Sequence, residues 1–237
     1  MARIFVAGSK GKAEIVLGKR EAHYLGDVLR LKKGDRIIIF DGEEGEGYIK
    51  DFLPGKVVVS VEKWNRVERE LSFSLTLGQA VLKGEKMDLV MEKATEIGVG
   101  SIIPLVTERV IPRDRGLEKQ KRWERISGEA ARQSRRLRPP EVSVPITLSD
   151  FLKKRLTGLK IVPWEEEKGP GLFKLLKERP RPEEVAVVIG PEGGFSEGEV
   201  EQLRGAGFET VSLGPFILRS ETATIYTLSC LAGFYHG

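Results

Sequence analysis

AVVIGPEGGFSEGEV, residues Ala186–Val200, is the stretch that sets the fold class. An unbroken apolar run ends in a Gly-Pro-Glu-Gly-Gly corner, and Ser196 then stands three residues before Glu199, the spacing of a capping box that opens a helix. A fully apolar strand turning tightly into a helix is a unit of an open α/β sheet, in which ligands lie beyond the carboxyl ends of the strands. The corner is neither a Walker loop, since no Lys-Ser or Lys-Thr follows it, nor GxGxxG. The pattern returns in VSLGPFILRSETATIYTLS, Val211–Ser229. A strand again ends in Gly-Pro, and a loop carrying Ile217, Leu218 and Arg219 enters a helix capped by Ser220 or Thr222, with Glu221 in its first turn. Two similar loops are therefore expected on one edge of the sheet.

Outward from these corners, strands and helices alternate. Leu71–Val81 and Ser101–Thr107 read as strands flanking an amphipathic helix, Glu85–Ile97, closed by Gly98. Leu117–Arg136 is expected as a long helix stopped by Pro139-Pro140. Leu159–Val162, Val185–Ile189 and Thr210–Leu213 are further strands, with helices near Leu172–Lys177, Glu197–Ala206 and Glu221–Tyr235. The alternation predicts a mostly parallel sheet covered on both faces. The last helix is apolar nearly all round, which implies burial in the domain or against a second subunit. The first 70 residues differ: short β-rich runs at Arg3–Ala7, Glu14–Leu17, Arg36–Phe40, Glu46–Phe52 and Lys56–Val61, with one helix over Glu21–Leu31, predict a small β-barrel.

Composition narrows the function classes. The chain has 237 residues, one cysteine and two histidines, so neither an intrachain disulfide nor a zinc cluster is expected and no metal site is assigned. No apolar run reaches the roughly 18 residues of a membrane span, and MARIFVAGSKGKAEIVLG lacks a signal-peptide pattern. A soluble, cytoplasmic protein is expected. The net charge of +4 is unevenly spread: residues 109–140 hold 11 basic and 4 acidic side chains, net +7, while residues 160–237 hold 8 and 12, net −4. Nine of those 11 basic residues are arginine, which favours forked phosphate contacts, and Arg132, Arg135, Arg136 and Arg138 fall within seven residues. Arg30, Lys32 and Lys33 follow the N-terminal helix and suggest a second surface for a polyanion.

IGPEGGFS (Ile189–Ser196) with LGPFILRSETA (Leu213–Ala223) resembles the 16S ribosomal RNA (uracil-N3)-methyltransferase family, a branch of the knotted SPOUT methyltransferases. HYLGDVLRLKKGD (His23–Asp35), KGEKMDLVMEKATEIGV (Lys83–Val99), TERV (Thr107–Val110) and EAARQSRRLRPP (Glu129–Pro140) extend the resemblance over nearly the whole chain, in the family's order. Phe216 departs from it, standing where many relatives carry Arg or another polar residue.

The resemblance implies an RNA-binding PUA-like β-barrel over residues 1–70 and a SPOUT methyltransferase domain with a deep trefoil knot over 71–237. It further implies S-adenosylmethionine as methyl donor, 16S ribosomal RNA within the small subunit as substrate, and a homodimer. In such a fold, main-chain groups at Ile189, Gly190, Leu213, Gly214, Ile217 and Leu218 would hold the cofactor, with Glu192, Gly194 and Arg219 beside them. Arg219 is the candidate for charge stabilisation at the uracil oxygens or for binding the target phosphate, and Glu192 or Glu221 for accepting the N3 proton or orienting the base. Arg109, Arg132 and Gln133 join Arg30, Lys32, Arg135 and Arg136 as candidate RNA contacts. His23 is expected to pack against the barrel, Met87 and Met91 to be core, and Cys230 to be an inert buried thiol. Two other readings compete. One is a non-catalytic RNA-binding protein with a relict cofactor site; the other is a nucleotide-dependent enzyme, disfavoured because Glu192 would repel phosphate.

Overall fold

The computed structural model describes residues 1–110 and 116–236, so Arg113 and Arg115 of the basic stretch lie outside the described residues. The chain divides into two compact units, Met1–Glu70 with Ala131–Arg138, and Leu71–Ala130 with Pro139–Gly237.

The first unit holds β1 (Ala2–Phe5), β2 (Glu14–Leu17), α1 (Lys19–His23), β3 (Arg36–Phe40), β4 (Glu44–Leu53) and β5 (Lys56–Asn65). Its five-stranded sheet runs β1-β3-β4-β5-β2, with β1 and β3 parallel and the other pairs antiparallel. Ile37 and Ile39, and Val57, Val59 and Val61, alternate into one core with Ile15, Leu17, Leu25 and Ile49. β4 and β5 extend beyond the expected runs, and the ladder between them is broken by irregularities at Glu46/Gly47 and Ile49/Asp51. A Cβ on Gly47 would stand 2.0 Å from the Ser60 carbonyl oxygen, so only glycine allows this approach.

The N-terminal helix starts earlier than its apolar spacing predicts and ends differently. α1 passes into a π-turn over Tyr24–Val28, which closes with Leu31 N–H donating to Leu25 O and Arg30 at φ 57°. His23 does not pack against the sheet as expected; it is exposed, with Nδ1 2.6 Å from Asp27 Oδ2. The expected long helix also stops early. α3 (Gly116–Gln133) ends where Arg136 N–H donates back to Ala131 O and Arg135 turns to φ 59°.

Part of the basic stretch turns inward in this unit. Arg136 is buried, with Nη2 2.7 Å from Glu70 Oε2, while the other Glu70 oxygen accepts Leu137 N–H at 2.8 Å. Arg138 Nε lies 3.2 Å from Asp41 Oδ1, and Gly42 N–H donates to Leu137 O.

The second unit follows the expected alternation: β6 (Ser74–Ala80), α2 (Glu85–Ile97), β7 (Ser101–Val106), most of α3, β8 (Glu141–Val142), β9 (Ile146–Thr147), α4 (Leu148–Leu152), β10 (Leu159–Pro163), α5 (Leu172–Glu178), β11 (Glu184–Ile189), α6 (Glu197–Gly205), β12 (Glu209–Val211) and α7 (Ser220–His236). The sheet order is β12-β10-β11-β6-β7-β8, with β9 also on β7, and every pair is parallel. β11 explains the unbroken apolar run: Val185, Val187 and Ile189 enter one core, Ala186 and Val188 the other. β8, β9 and α4 were not anticipated, since elements this short carry no readable period. From the edge strand β12 the chain crosses to α7, which packs on α2 and central β11.

Leu77, fully buried in central β6, is expected to cost about 3 kcal/mol on truncation to alanine. Urea unfolding measures this; a loss below about 1 kcal/mol would place Leu77 outside the core.

Candidate active site

The two Gly-Pro corners meet through a buried hydrogen-bond node. Gln79, fully buried at the end of β6, donates through Nε2 to Ser220 Oγ at 3.1 Å, and its Oε1 accepts from Thr224 Oγ1 at 2.6 Å. Ser220 Oγ in turn donates to Gly190 O at 2.5 Å. The start of α7, after the second corner, is thereby bonded to the first corner. Sequence reasoning missed Gln79; its one signal was an amide inside the apolar run of β6.

The first corner is held from two further sides. Ser196 Oγ and the Glu199 carboxylate form the capping box expected of α6, and Glu199 Oε1 also accepts Glu108 N–H at 2.9 Å. Arg109 donates to Gly193 O, which places this candidate RNA contact on the corner itself. Glu192 accepts Lys83 N–H at 3.2 Å and lies 3.3 Å from Lys86 Nζ. Desolvation raises its carboxyl, but hydrogen bonds from its own backbone, Lys83 and Lys86 outweigh that and hold the group below the usual carboxylate range. Such a carboxylate is a weak proton acceptor.

The second corner lines a cleft of about 110 Å³, bounded by Pro163, Trp164 and Glu165 on one side and Ser212–Leu218 with Ala223 on the other. Gly214 sits at φ 124°, a conformation that favours glycine, and Ser212 Oγ braces it at 3.3 Å from Gly214 N. Gly194 favours glycine through its φ of 69°, and a Cβ there would meet the tip of the Glu165 carboxylate, whose Oε1 would lie 2.1 Å away and would have to swing aside. Among the described residues no group accepts the main-chain N–H of Phe216, Ile217 or Leu218.

Leu213, Gly214, Ile217 and Leu218 thus line the cleft, as expected of cofactor contacts. Ile189, Gly190, Glu192, Gly194 and Arg219 do not line it, although Gly194 touches Glu165 in its wall. Arg219 is exposed and forms no ion pair with a described residue. Glu221 is 9% exposed, and its Oε2 has no hydrogen-bond partner among the described residues. Cys230 is half-buried, and burial pushes its thiol up, consistent with an inert role.

The donor set suits a ligand with a flat apolar ring, a hydrogen-bonding edge and a cationic or hydroxylated portion. Leu213, Leu218, Ala223 and Trp164 supply apolar wall, the loop supplies main-chain groups, and Glu165 supplies a carboxylate. An RNA methyltransferase domain model matches residues 69–232, and an RNA methyltransferase PUA domain model matches residues 17–61. The chain is 31% identical to the ribosomal RNA small subunit methyltransferase E of Bacillus subtilis (strain 168), over 98% of this chain and 96% of that one. The chain belongs to the ribosomal RNA small subunit methyltransferase E family. Its structure matches that of the Neisseria gonorrhoeae family member bound to S-adenosyl methionine, with a TM-score of 0.89 and 26% identity over 99% and 98% of the two chains. A Legionella pneumophila putative methyltransferase in complex with the bound cofactor gives 0.86 and 33%, over 98% and 96%. The first unit is accordingly PUA-like and the second a SPOUT-type methyltransferase fold.

Within this family fold, the cleft wall at Trp164–Glu165 is anchored by Glu167. Its carboxylate accepts from Thr210 Oγ1, from Gly169 N–H at 2.6 Å and from Arg204 Nη2 at 3.0 Å. The Thr210 hydroxyl chiefly holds Glu167 below its ordinary 4.5, against desolvation and with help from Gly169 and Arg204. A depressed folded value contributes stability that is complete above 4.5 and lost as pH falls through that folded value. Glu167→Gln is therefore expected to lower the melting temperature near pH 7, with the gap to the native chain narrowing as the pH falls below 4.5 and through the depressed folded value. A gap independent of pH, measured by thermal unfolding, would contradict this.

Proposed function

We propose that this chain transfers a methyl group from S-adenosylmethionine to N3 of a uridine in 16S ribosomal RNA, within the small subunit. The observation that carries the reading is the cleft at the second corner, whose apolar walls and unpaired main-chain N–H groups fit the cofactor, in a chain whose family model spans residues 69–232. When bound, S-adenosylmethionine would supply an electrophilic methyl on a sulfonium: N3 gains the methyl and loses its proton, and the sulfur–methyl bond breaks to leave the neutral thioether S-adenosylhomocysteine.

The residues that would hold the cofactor are Leu213, Gly214, Ile217 and Leu218, with Glu165 opposite. Ile189, Gly190, Glu192 and Gly194 shape the neighbouring corner. Holding the reacting nitrogen in line does most of the catalytic work. Exposed Arg219 meets the negative charge that grows on the uracil oxygens. Of the two candidate proton acceptors, Glu221 is favoured: its Oε2 has no hydrogen-bond partner among the described residues, whereas Glu192 is occupied by Lys83 and Lys86 and depressed.

Residues 1–70 are read as the RNA-binding domain and 71–237 as the methyltransferase domain, with Arg30, Lys32, Arg132, Gln133 and Arg135 as RNA contacts. Arg109 and Arg136 act by organising the protein around them. Arg30 and Arg135 are the two non-glycine residues with positive φ among the described residues, and both are exposed arginines. Each stands at a helix end that commonly carries glycine, so backbone strain is tolerated there for the side chain. Arg132 lies 5.8 Å over the Tyr24 ring, which begins the π-turn leading to Arg30. No helix in the described residues is long and apolar enough to cross a membrane, and a cytoplasmic enzyme is proposed. A homodimer is proposed through α2 and α7, which expose Leu89, Tyr226 and Phe234 and bury hydroxyls of Thr227 and Tyr235 that have no partner among the described residues.

Calorimetry with S-adenosylhomocysteine, followed by mass spectrometry of small subunits treated with chain and cofactor, tests the reading. Binding and a new N3-methyluridine are expected. Binding of RNA without either would favour the relict-site alternative.

Glu221→Gln is expected to lower turnover roughly a hundredfold and Glu192→Gln far less. The reverse order in single-turnover assays would exchange their roles. Arg135→Gly is expected to stabilise the fold by up to about 1 kcal/mol while weakening RNA binding and lowering its salt slope by about 1. Lost stability with unchanged RNA affinity would make Arg135 structural.

A further inference from the structure

The loop lining the cleft also carries the two most exposed large apolar side chains among the described residues. Phe216 is 80% exposed and Ile217 86%. Single apolar side chains at a surface are ordinary, but these are adjacent, aromatic beside aliphatic, on the lip of a ligand cleft and two residues before an exposed arginine. The loop presents them in a set direction, because Gly214 and the Ser212 hydroxyl hold the turn from which they project.

The chemistry of the reaction says what such a lip should meet. N3 lies in the middle of uracil's pairing edge, between two carbonyl groups, so it is blocked in a base pair. A base that offers N3 must be unpaired and out of its stack, and it enters edge first. Its two flat faces then lie toward whatever stands beside the entrance. Aromatic side chains restore the stacking such a base has lost, whatever its sequence context. An exposed arginine three residues further along the same loop supplies the positive charge that a nucleotide needs and an apolar partner does not.

We propose that Phe216 is the stacking platform for the target nucleobase, with Ile217 continuing the apolar wall. This rests on the methyltransferase reading above and adds to it the element that holds the base in line with the donor. Phe216 acts on the ring of the substrate and not on the cofactor. A second copy of the chain on the same lip is the alternative occupant, disfavoured because an apolar interface would bury the Arg219 charge with no described partner.

The test uses the full chain, native and with Phe216→Ala, Phe216→Leu, Phe216→Tyr and Phe216→Trp. Small subunits lacking the modification serve as substrate, and S-adenosylhomocysteine as the calorimetric ligand. Phe216→Ala is expected to lower kcat/KM for subunits roughly ten- to a hundredfold, while S-adenosylhomocysteine affinity and the dimer are unchanged. Phe216→Tyr restores the rate and Phe216→Leu does not, because Leu has bulk without a π face. The emission added by Phe216→Trp over the three native tryptophans is quenched on titration with oligouridylate. Loss of S-adenosylhomocysteine affinity in Phe216→Ala would make the ring a cover for the cofactor and overturn the proposal. Dissociation of the dimer would assign the lip to a second copy, and equal rescue by Leu would leave only bulk. A native chain that neither binds S-adenosylhomocysteine nor labels subunits would sink the functional reading itself; a native chain that does both beside an unimpaired Phe216→Ala would sink the platform alone.

Discussion

The Gln79 amide is the interaction on which the site depends. It sits fully buried in the central strand β6, surrounded by apolar core, where an unmet amide costs about 1–3 kcal/mol. Its oxygen and nitrogen are satisfied by Thr224 and Ser220 at the start of α7, and Ser220 passes a further bond to the Gly190 carbonyl. Three segments distant in sequence are thus held through one buried cluster of hydrogen bonds, to which Gln79 Nε2–Ala80 O and Thr224 Oγ1–Ser220 O add local support. The loop between β12 and Ser220 must then cross from the sheet edge to its middle, which stretches residues 212–219 over the carboxyl ends of the strands. The cleft, its exposed main-chain N–H groups and the projecting Phe216 all follow from that span.

Charge is sorted by purpose. In the first unit, Arg136 and Arg138 are spent on Glu70 and Asp41, which secure the segment after α3, while Arg30 and Arg135 are kept outward at a conformational cost. In the second, carboxylates dominate around the corners. Glu199 caps a helix and holds Glu108, Glu167 fastens the loop behind the cleft, Glu192 pairs with Lys86 and accepts the Lys83 N–H, and Glu165 and Glu221 form no ion pair with a described residue. A negative surround suits a cationic donor and opposes nucleotide phosphates, which weighs against phosphate chemistry at the Gly-Pro-Glu-Gly-Gly corner.

Much of the second unit was legible because its strands are buried on both faces. Val185–Ile189 reads as one apolar run whether its side chains enter one core or two, and Ser196 with Glu199 announces α6 unaided. The basic run at residues 132–138 was legible as charge but not as geometry. Nothing in its spacing distinguishes Arg136, buried on Glu70, from Arg135, left-handed and exposed, because Glu70 is brought to it from 66 residues away. The same limit hid Gln79 and Glu165: long-range partners give a polar residue its role, and local period carries no trace of them. His23 was misplaced for a simpler reason, since an i,i+4 pairing with Asp27 at the surface competes with packing and here prevails. Family resemblance named the two corners; the structure adds that only the second one lines the cleft, while the first braces it.

The central claim is that the two Gly-Pro corners build one cofactor site, the second corner forming its wall and the first its support. A crystal structure of the chain grown with S-adenosylhomocysteine tests it most directly. The expected result is ligand density between Trp164–Glu165 and Leu213–Leu218, with main-chain N–H groups of residues 216–218 turned to it and the Gln79–Ser220–Gly190 bonds intact. Density at another place on the chain, or full occupancy with those bonds broken, would contradict the account.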